Sequence, residues 1–202
     1  MKKLKSSLPN MVLVLTLVAV IMGGLLALMN EITKDPIALQ KQQALDKGIK
    51  DVMGEVEGEL NVADPVSVKE TFDDKEYEFV IHPVNDAQGH TLGAAIESTT
   101  LGFGGNLKVL VGINPNGTIC GYTILEQQET PGLGAKADKW FQAEGKGSII
   151  GKQLHVEQLL EVTKKTPEKD NEIQAITAST ITTRAFLKAV NQAYLTYIKN
   201  AE

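Results

Sequence analysis

Nineteen consecutive residues from Met11 to Met29 (MVLVLTLVAVIMGGLLALM) carry no charge and are apolar apart from Thr16 and the Gly23-Gly24 pair. At about 1.5 Å of rise per residue, a helix of that length nearly matches a hydrocarbon core of roughly 30 Å. A cleaved signal peptide would show a shorter apolar region, of about 7–15 residues, ending in a small-x-small site. This run ends Ala27-Leu28-Met29-Asn30 instead, so it reads as an uncleaved transmembrane anchor. Lys2, Lys3, Lys5 and the amino terminus precede it, against Lys34 and Lys41 in the stretch that follows. That bias places the N-terminus in the cytoplasm and the remaining chain outside the inner membrane.

Without residues 1–29 the chain keeps seventeen Lys and Arg against twenty-five Asp and Glu, a net charge of −8. The exported part is long enough to bury a real core. Its acidic balance argues against a nucleic-acid partner, because a phosphate backbone calls for a basic face. With 43% apolar and 22% charged residues, the whole is neither disordered, collagenous nor a polytopic transporter. The single cysteine, Cys120, removes any internal disulfide and any cysteine-based iron–sulfur or zinc site. His82, His90 and His155 are far apart and not at metal-ligand spacing, so no metal site is expected.

Asp35-Pro36 reads as a helix start, with Asp at the N-cap and Pro at the first helical position. Leu45, Ile49, Val52 and Met53 continue it at helical spacing as far as Gly54. From about Ser67 to Glu126 the pattern turns to strands. Tyr77, Phe79 and Ile81 alternate with polar neighbours, and 92–96, 107–113 and 118–125 are further β-like runs. Asn114-Pro115-Asn116-Gly117 between the last two predicts a hairpin with positive φ at both Asn116 and Gly117. Residues 135–142 predict a short helix and 173–176 one more strand. Ala185, Phe186, Ala189, Val190, Ala193, Tyr194 and Tyr197 form the apolar stripe of a final helix. The expected fold is α+β: one N-terminal transmembrane helix, then an extracytoplasmic domain with an antiparallel sheet and flanking helices. Its parts are a cytoplasmic N-terminus 1–10, an anchor 11–29, a juxtamembrane helix and linker 30–65, and a domain 66–202.

Three clusters can carry chemistry. In Thr177-Ala178-Ser179-Thr180-Ile181-Thr182-Thr183-Arg184, five hydroxyl residues fall within seven positions ahead of the last helix. Two readings stand: a plain N-cap, or an anion site in which free N–H groups, the helix dipole and hydroxyls meet a phosphate. Arg184 adds a charge-assisted contact if it lies on the ligand side. Glu129-Thr130-Pro131-Gly132-Leu133-Gly134-Ala135-Lys136 is at least a strand-to-helix turn. Its glycines also permit close approach to a flat ligand, with Glu129 or Thr130 bonding polar ring atoms. Gly102-Phe103-Gly104-Gly105 is the weakest signal, lacking the lysine and spacing of a P-loop.

In this order, a basic N-terminus with one anchor, GFGG before a strand, ETPGLGAK after a hairpin and TASTITT before the last helix resemble the G subunit of the Rnf electron-transport complex. The C subunit of the sodium-pumping NADH:quinone reductase shares that family's FMN-binding domain. The resemblance implies that 66–202 binds one FMN, attached through its phosphate to the final Thr of an S/T-G-A-T motif by a flavin transferase. Thr177-Ala178-Ser179-Thr180 matches at both ends, so Thr180 is the acceptor, with Ala178 for the usual Gly and Ser179 for the usual Ala. Thr177, Ala178, Ser179, Ile181, Thr182 and Thr183 are then expected around the phosphate, where the N–H groups of Thr182 and Thr183 would meet it if the helix starts there. Glu129, Thr130, Gly132, Leu133, Gly134 and Lys136 are expected around the flavin. Gln128 stands where family members often carry His, which assigns it no proton-transfer role. The implied function is electron transfer by covalent FMN within a membrane complex that couples ferredoxin and NAD⁺ to ion transport, with the other members of that complex as partners. The quinone-reductase subunit, typically longer, and a non-redox anchored binding or assembly module are the alternatives.

Overall fold

The computed structural model describes residues 8–54 and 60–200, so Lys2, Lys3 and Lys5, which carry the charge bias, lie outside the described residues. The chain divides into two units at Gln43 and Ala44.

The first unit is a single helix, α1, whose full extent is Leu8–Met53. It is long and apolar enough to cross a membrane, and its side chains from Val12 to Met29 are exposed. The expected new start at Asp35 is absent, because α1 runs straight through Pro36. A proline deletes one amide from the ladder, yet Ala38, Leu39, Gln40 and Lys41 beyond it are strong helix formers. The helix therefore tolerates one missing bond instead of restarting.

The second unit is α+β, as the alternating patterns predict. Strands β1 (Asn61–Val62), β2 (Val66–Phe72), β3 (Lys75–Asn85), β4 (Thr91–Leu101), β5 (Asn106–Ile113) and β6 (Ile119–Glu126) form one antiparallel sheet. β2 to β6 follow as a meander, and β1 extends the pairing of β3 beyond β2. The β5–β6 connection differs from the expected turn: of Asn116 and Gly117, only Gly117 takes positive φ (80°), and its amide bonds the Asn114 carbonyl at 3.0 Å. Pro115 at the second position favours this turn, and the glycine then absorbs the extra residue as a bulge. The helix expected over 135–142 is one turn of 3₁₀ (Gly134–Lys136) and one of α2 (Ala137–Trp140). β7 (Glu161–Thr163) and β8 (Glu172–Gln174) pair in parallel, and α3 (Thr180–Asn200) closes the domain.

The alternation sends each strand's apolar residues to two faces. Phe79, Ile81, Ile96, Val109, Val111 and Tyr122 meet Phe186, Val190 and Ala193 of α3 in the main core. Phe141 stacks on Phe186 at a centroid distance of 4.2 Å, and Tyr122 meets Phe186 edge-on. On the opposite face, Val84, Ala95 and Leu110 pack against Ile49, Val52 and Met53 at the end of α1. Gly112 and Gly121 pair directly across β5 and β6 there. A Cβ at Gly112 would lie 2.2 Å from the Val52 carbonyl oxygen, so only bare backbone admits the helix. The faces also hold a polar group: buried Glu97 accepts from His82 Nε2 at 2.7 Å and from Lys108 Nζ at 2.5 Å. Burial pushes the Glu97 carboxyl up, but His82 and Lys108 outweigh it and hold the group below its ordinary range.

Candidate functional site

The three singled-out clusters lie far apart in sequence, yet they surround one cleft of about 380 Å³. Each arrives at the end of a strand. The Gly102–Gly105 turn joins β4 to β5, closed by the Gly102 amide on the Gly105 carbonyl at 2.8 Å. The segment after β6 folds back at Thr130, whose carbonyl accepts from the Leu133 and Ala135 amides. The third follows β8 into α3.

Helix α3 has a complete first turn. The Thr183 amide donates to the Ser179 carbonyl at 3.0 Å, which makes Ser179 the N-cap and leaves the amides of Thr180, Ile181 and Thr182 ahead of the ladder. The expectation that Thr183 N–H meets a phosphate fails for that reason. The Thr183 side chain is a buckle instead: its hydroxyl accepts the Ile176 amide at 3.1 Å and donates to the Ser179 carbonyl at 3.0 Å. Ser179, only 8% exposed, also lines the cleft. Ala178 just before it holds φ at 62°, in the left-handed region that an L side chain rarely occupies.

Glu129 ties the three segments together. Its Oε1 accepts from the Phe103 amide at 2.7 Å and the Gly104 amide at 3.4 Å. Its Oε2 accepts from the Thr182 hydroxyl at 2.8 Å. The residue is buried, and a buried carboxylate is tolerated only with such donors around it. A Cβ at Gly134 would sit 2.4 Å from Glu129 Oε2, so the close approach this glycine permits is to the carboxylate.

Of the residues expected at the site, Glu129, Thr130, Leu133 and Gly134 line one side of the cleft, and Ala178 to Thr182 line the other. Thr177, Gly132 and Lys136 stand outside its lining, and Thr183 is buried beneath it. Arg184 faces a different cleft, beside Asp73 and Lys188, and not the one that Thr180 lines. Phe103 also lines the Thr180 cleft, although it entered the sequence reading only within the weakest of the three clusters and not among the expected site residues. The cleft thus combines a helix N-terminus and its hydroxyls with the exposed apolar side chains of Phe103, Leu133 and Ile181. Such a site suits a ligand that carries both a phosphate and a flat apolar ring.

Two family models match the chain: one described as FMN-binding domain covers residues 102–195, and one described as RnfG N-terminal region covers residues 1–52. The chain is 31% identical over 210 residues to the G subunit of an ion-translocating oxidoreductase complex from Aliivibrio fischeri, covering 94% of this chain and 90% of that one. The corresponding G subunit from Vibrio vulnificus is 33% identical over 186 residues, covering 88% and 83%. The G subunit of a Na(+)-translocating ferredoxin:NAD(+) oxidoreductase complex from Acetobacterium woodii is 38% identical over 115 residues, and the chain spans only about half of that relative, 53%. Among solved structures, the C subunit of a Na(+)-translocating NADH-quinone reductase from Parabacteroides distasonis is 20% identical, with a TM-score of 0.49 over 78% of this chain and 80% of that one.

Proposed function

The chain belongs to the family of G subunits of ion-translocating oxidoreductase complexes, and from that premise we propose that it is a membrane-anchored electron carrier with FMN held covalently through a phosphoester on Thr180. The observation that carries this reading is the convergence of all three turns on the cleft that Thr180 lines.

The residues present fit the cofactor. Thr180 is the first residue of α3, so a phosphate on its hydroxyl lies at the positive end of the helix dipole. The amides of Thr180, Ile181 and Thr182 and the Ser179 hydroxyl are the donors that would hold it. Bound flavin supplies the one- and two-electron chemistry, while the protein supplies position and electrostatics. A covalent bond also keeps the cofactor from diffusing out of an open compartment.

Partner proteins of the complex complete the function. The apolar run 11–29 contains no carboxylate, so ion translocation belongs to them. In this reading α1 anchors the domain in the inner membrane with residues 1–10 in the cytoplasm, the domain 66–202 lies outside, and a flavin transferase matures it there. Coexpression with a flavin transferase, followed by a denaturing gel, is the test: a flavin-fluorescent band in the wild type that disappears in Thr180→Ala supports the reading, and a band that persists in Thr180→Ala refutes it.

A further inference from the structure

Phe103 is 68% exposed, yet its own amide and that of Gly104 are anchored to the buried Glu129 carboxylate. This exposed ring is carried by a pinned turn that lines the cleft. Leu133, 41% exposed, and Ile181, 56% exposed, stand around the same cleft. Three apolar side chains from three separate segments therefore surround the space next to Thr180. A phosphoester at Thr180 restrains only one end of FMN, and the ribityl chain between phosphate and ring is flexible. The ring needs a second hold, and flat apolar surface against a phenyl ring is a favourable one.

Resting on the reading of this cleft as the FMN site, the geometry points to Phe103 as the side chain that covers the flavin ring, and to Glu129 as the positioning residue that keeps it there. One carboxylate joins the turn that carries Phe103 to the helical turn that carries Thr180. Oε1 holds the turn that carries Phe103, and Oε2 holds Thr182, two residues beyond Thr180 on the same helical turn. Both oxygens are engaged by protein donors, so Glu129 acts through its neighbours. Gly102 keeps the turn close: a Cβ there would fall 2.1 Å from Glu129 Oε1.

The test uses the full chain, coexpressed with a flavin transferase and purified in detergent, and reads the time-resolved fluorescence anisotropy of the bound flavin together with its quenching by iodide. Neither readout depends on turnover. In Phe103→Ala the loaded flavin should gain a fast component in its anisotropy decay and a higher iodide quenching constant, while Phe103→Tyr stays close to wild type. Glu129→Ala should reproduce the Phe103→Ala signature, and Glu129→Gln, which keeps an acceptor oxygen for the Phe103 amide, should restore most of the slow decay. If Glu129→Ala does not fold, Phe103→Ala decides alone, since its side chain lies at the surface. Unchanged anisotropy and quenching in Phe103→Ala would overturn the proposal. The same unchanged signals accompanied by loss of copurifying partner proteins would overturn it in favour of a partner-docking role for Phe103. Failure of the underlying FMN reading is separately visible, as an absent fluorescent band in the wild type.

Discussion

Thr182 Oγ1 donates to Glu129 Oε2 at 2.8 Å, joining the first turn of the last helix to a residue 53 positions earlier in the chain. With the amides of Phe103 and Gly104 on the other oxygen, this bond makes the candidate site one hydrogen-bonded unit.

Removing that carboxylate leaves buried donors without partners. Glu129→Ala should cost about 2–3 kcal/mol of stability in urea titrations, since each hydrogen bond to a charged group contributes about 1.5–3 kcal/mol and the losses are not additive. Glu129→Gln should recover part of it. An equal loss in both variants would show that the charge, and not the acceptor geometry, is what the site requires.

Ala178 holds a positive φ of 62° immediately before the capping Ser179. A left-handed conformation costs an L residue about 1–2 kcal/mol and glycine almost nothing. Ala178→Gly should therefore raise the unfolding temperature of the purified chain in calorimetry, despite the added freedom glycine has when unfolded. A lower temperature would mean that the Ala178 methyl makes a stabilising contact that outweighs the backbone strain.

Gly112 faces the Val52 carbonyl, and no side chain fits between them. Gly112→Val should lift the end of α1 from the sheet and cost on the order of 1–3 kcal/mol by overpacking. Hydrogen exchange is the local check, with faster exchange of the Val52 and Met53 amides expected.

Glu97 is held below its ordinary range by His82 and Lys108 against the opposing effect of burial. Because the folded-state value is the lower one, its contribution to stability is complete above the unfolded value of 4.5 and is lost as pH falls through the folded one. Acid unfolding curves should show this loss in the wild type below pH 4.5, and Glu97→Gln should flatten that limb.

How far the sequence disclosed this architecture varies with the range of the forces involved. Strands β3 to β6 were legible because alternation is a local record of which face is buried, as Phe79 and Ile81 on one face and His82 and Val84 on the other show. The unbroken passage of α1 through Pro36 was not, because a local helix breaker competes there with the strong helix formers that follow it. At the site, the residues of the ETPGLG and TAST segments could be read from their turn chemistry. What composition and spacing do not encode is that the GFGG turn meets them. That meeting depends on Glu129 reaching across 26 residues to Phe103 and 53 to Thr182, pairings that only the folded sheet creates. The double duty of Thr183 as a buckle was hidden for the same reason.

Topology can be checked independently of the cofactor. Protease added outside intact spheroplasts should digest the domain beyond α1, whereas full protection would reverse the orientation inferred for the anchor.

The most direct measurement of the central claim is peptide mapping of the chain matured with a flavin transferase. Trypsin releases Asp170–Arg184, which contains Thr177, Ser179, Thr180, Thr182 and Thr183. Fragmentation of that peptide should place the mass of one FMN less water on Thr180. An unmodified peptide from a fluorescent protein, or the added mass on any of the other four hydroxyls, would contradict it.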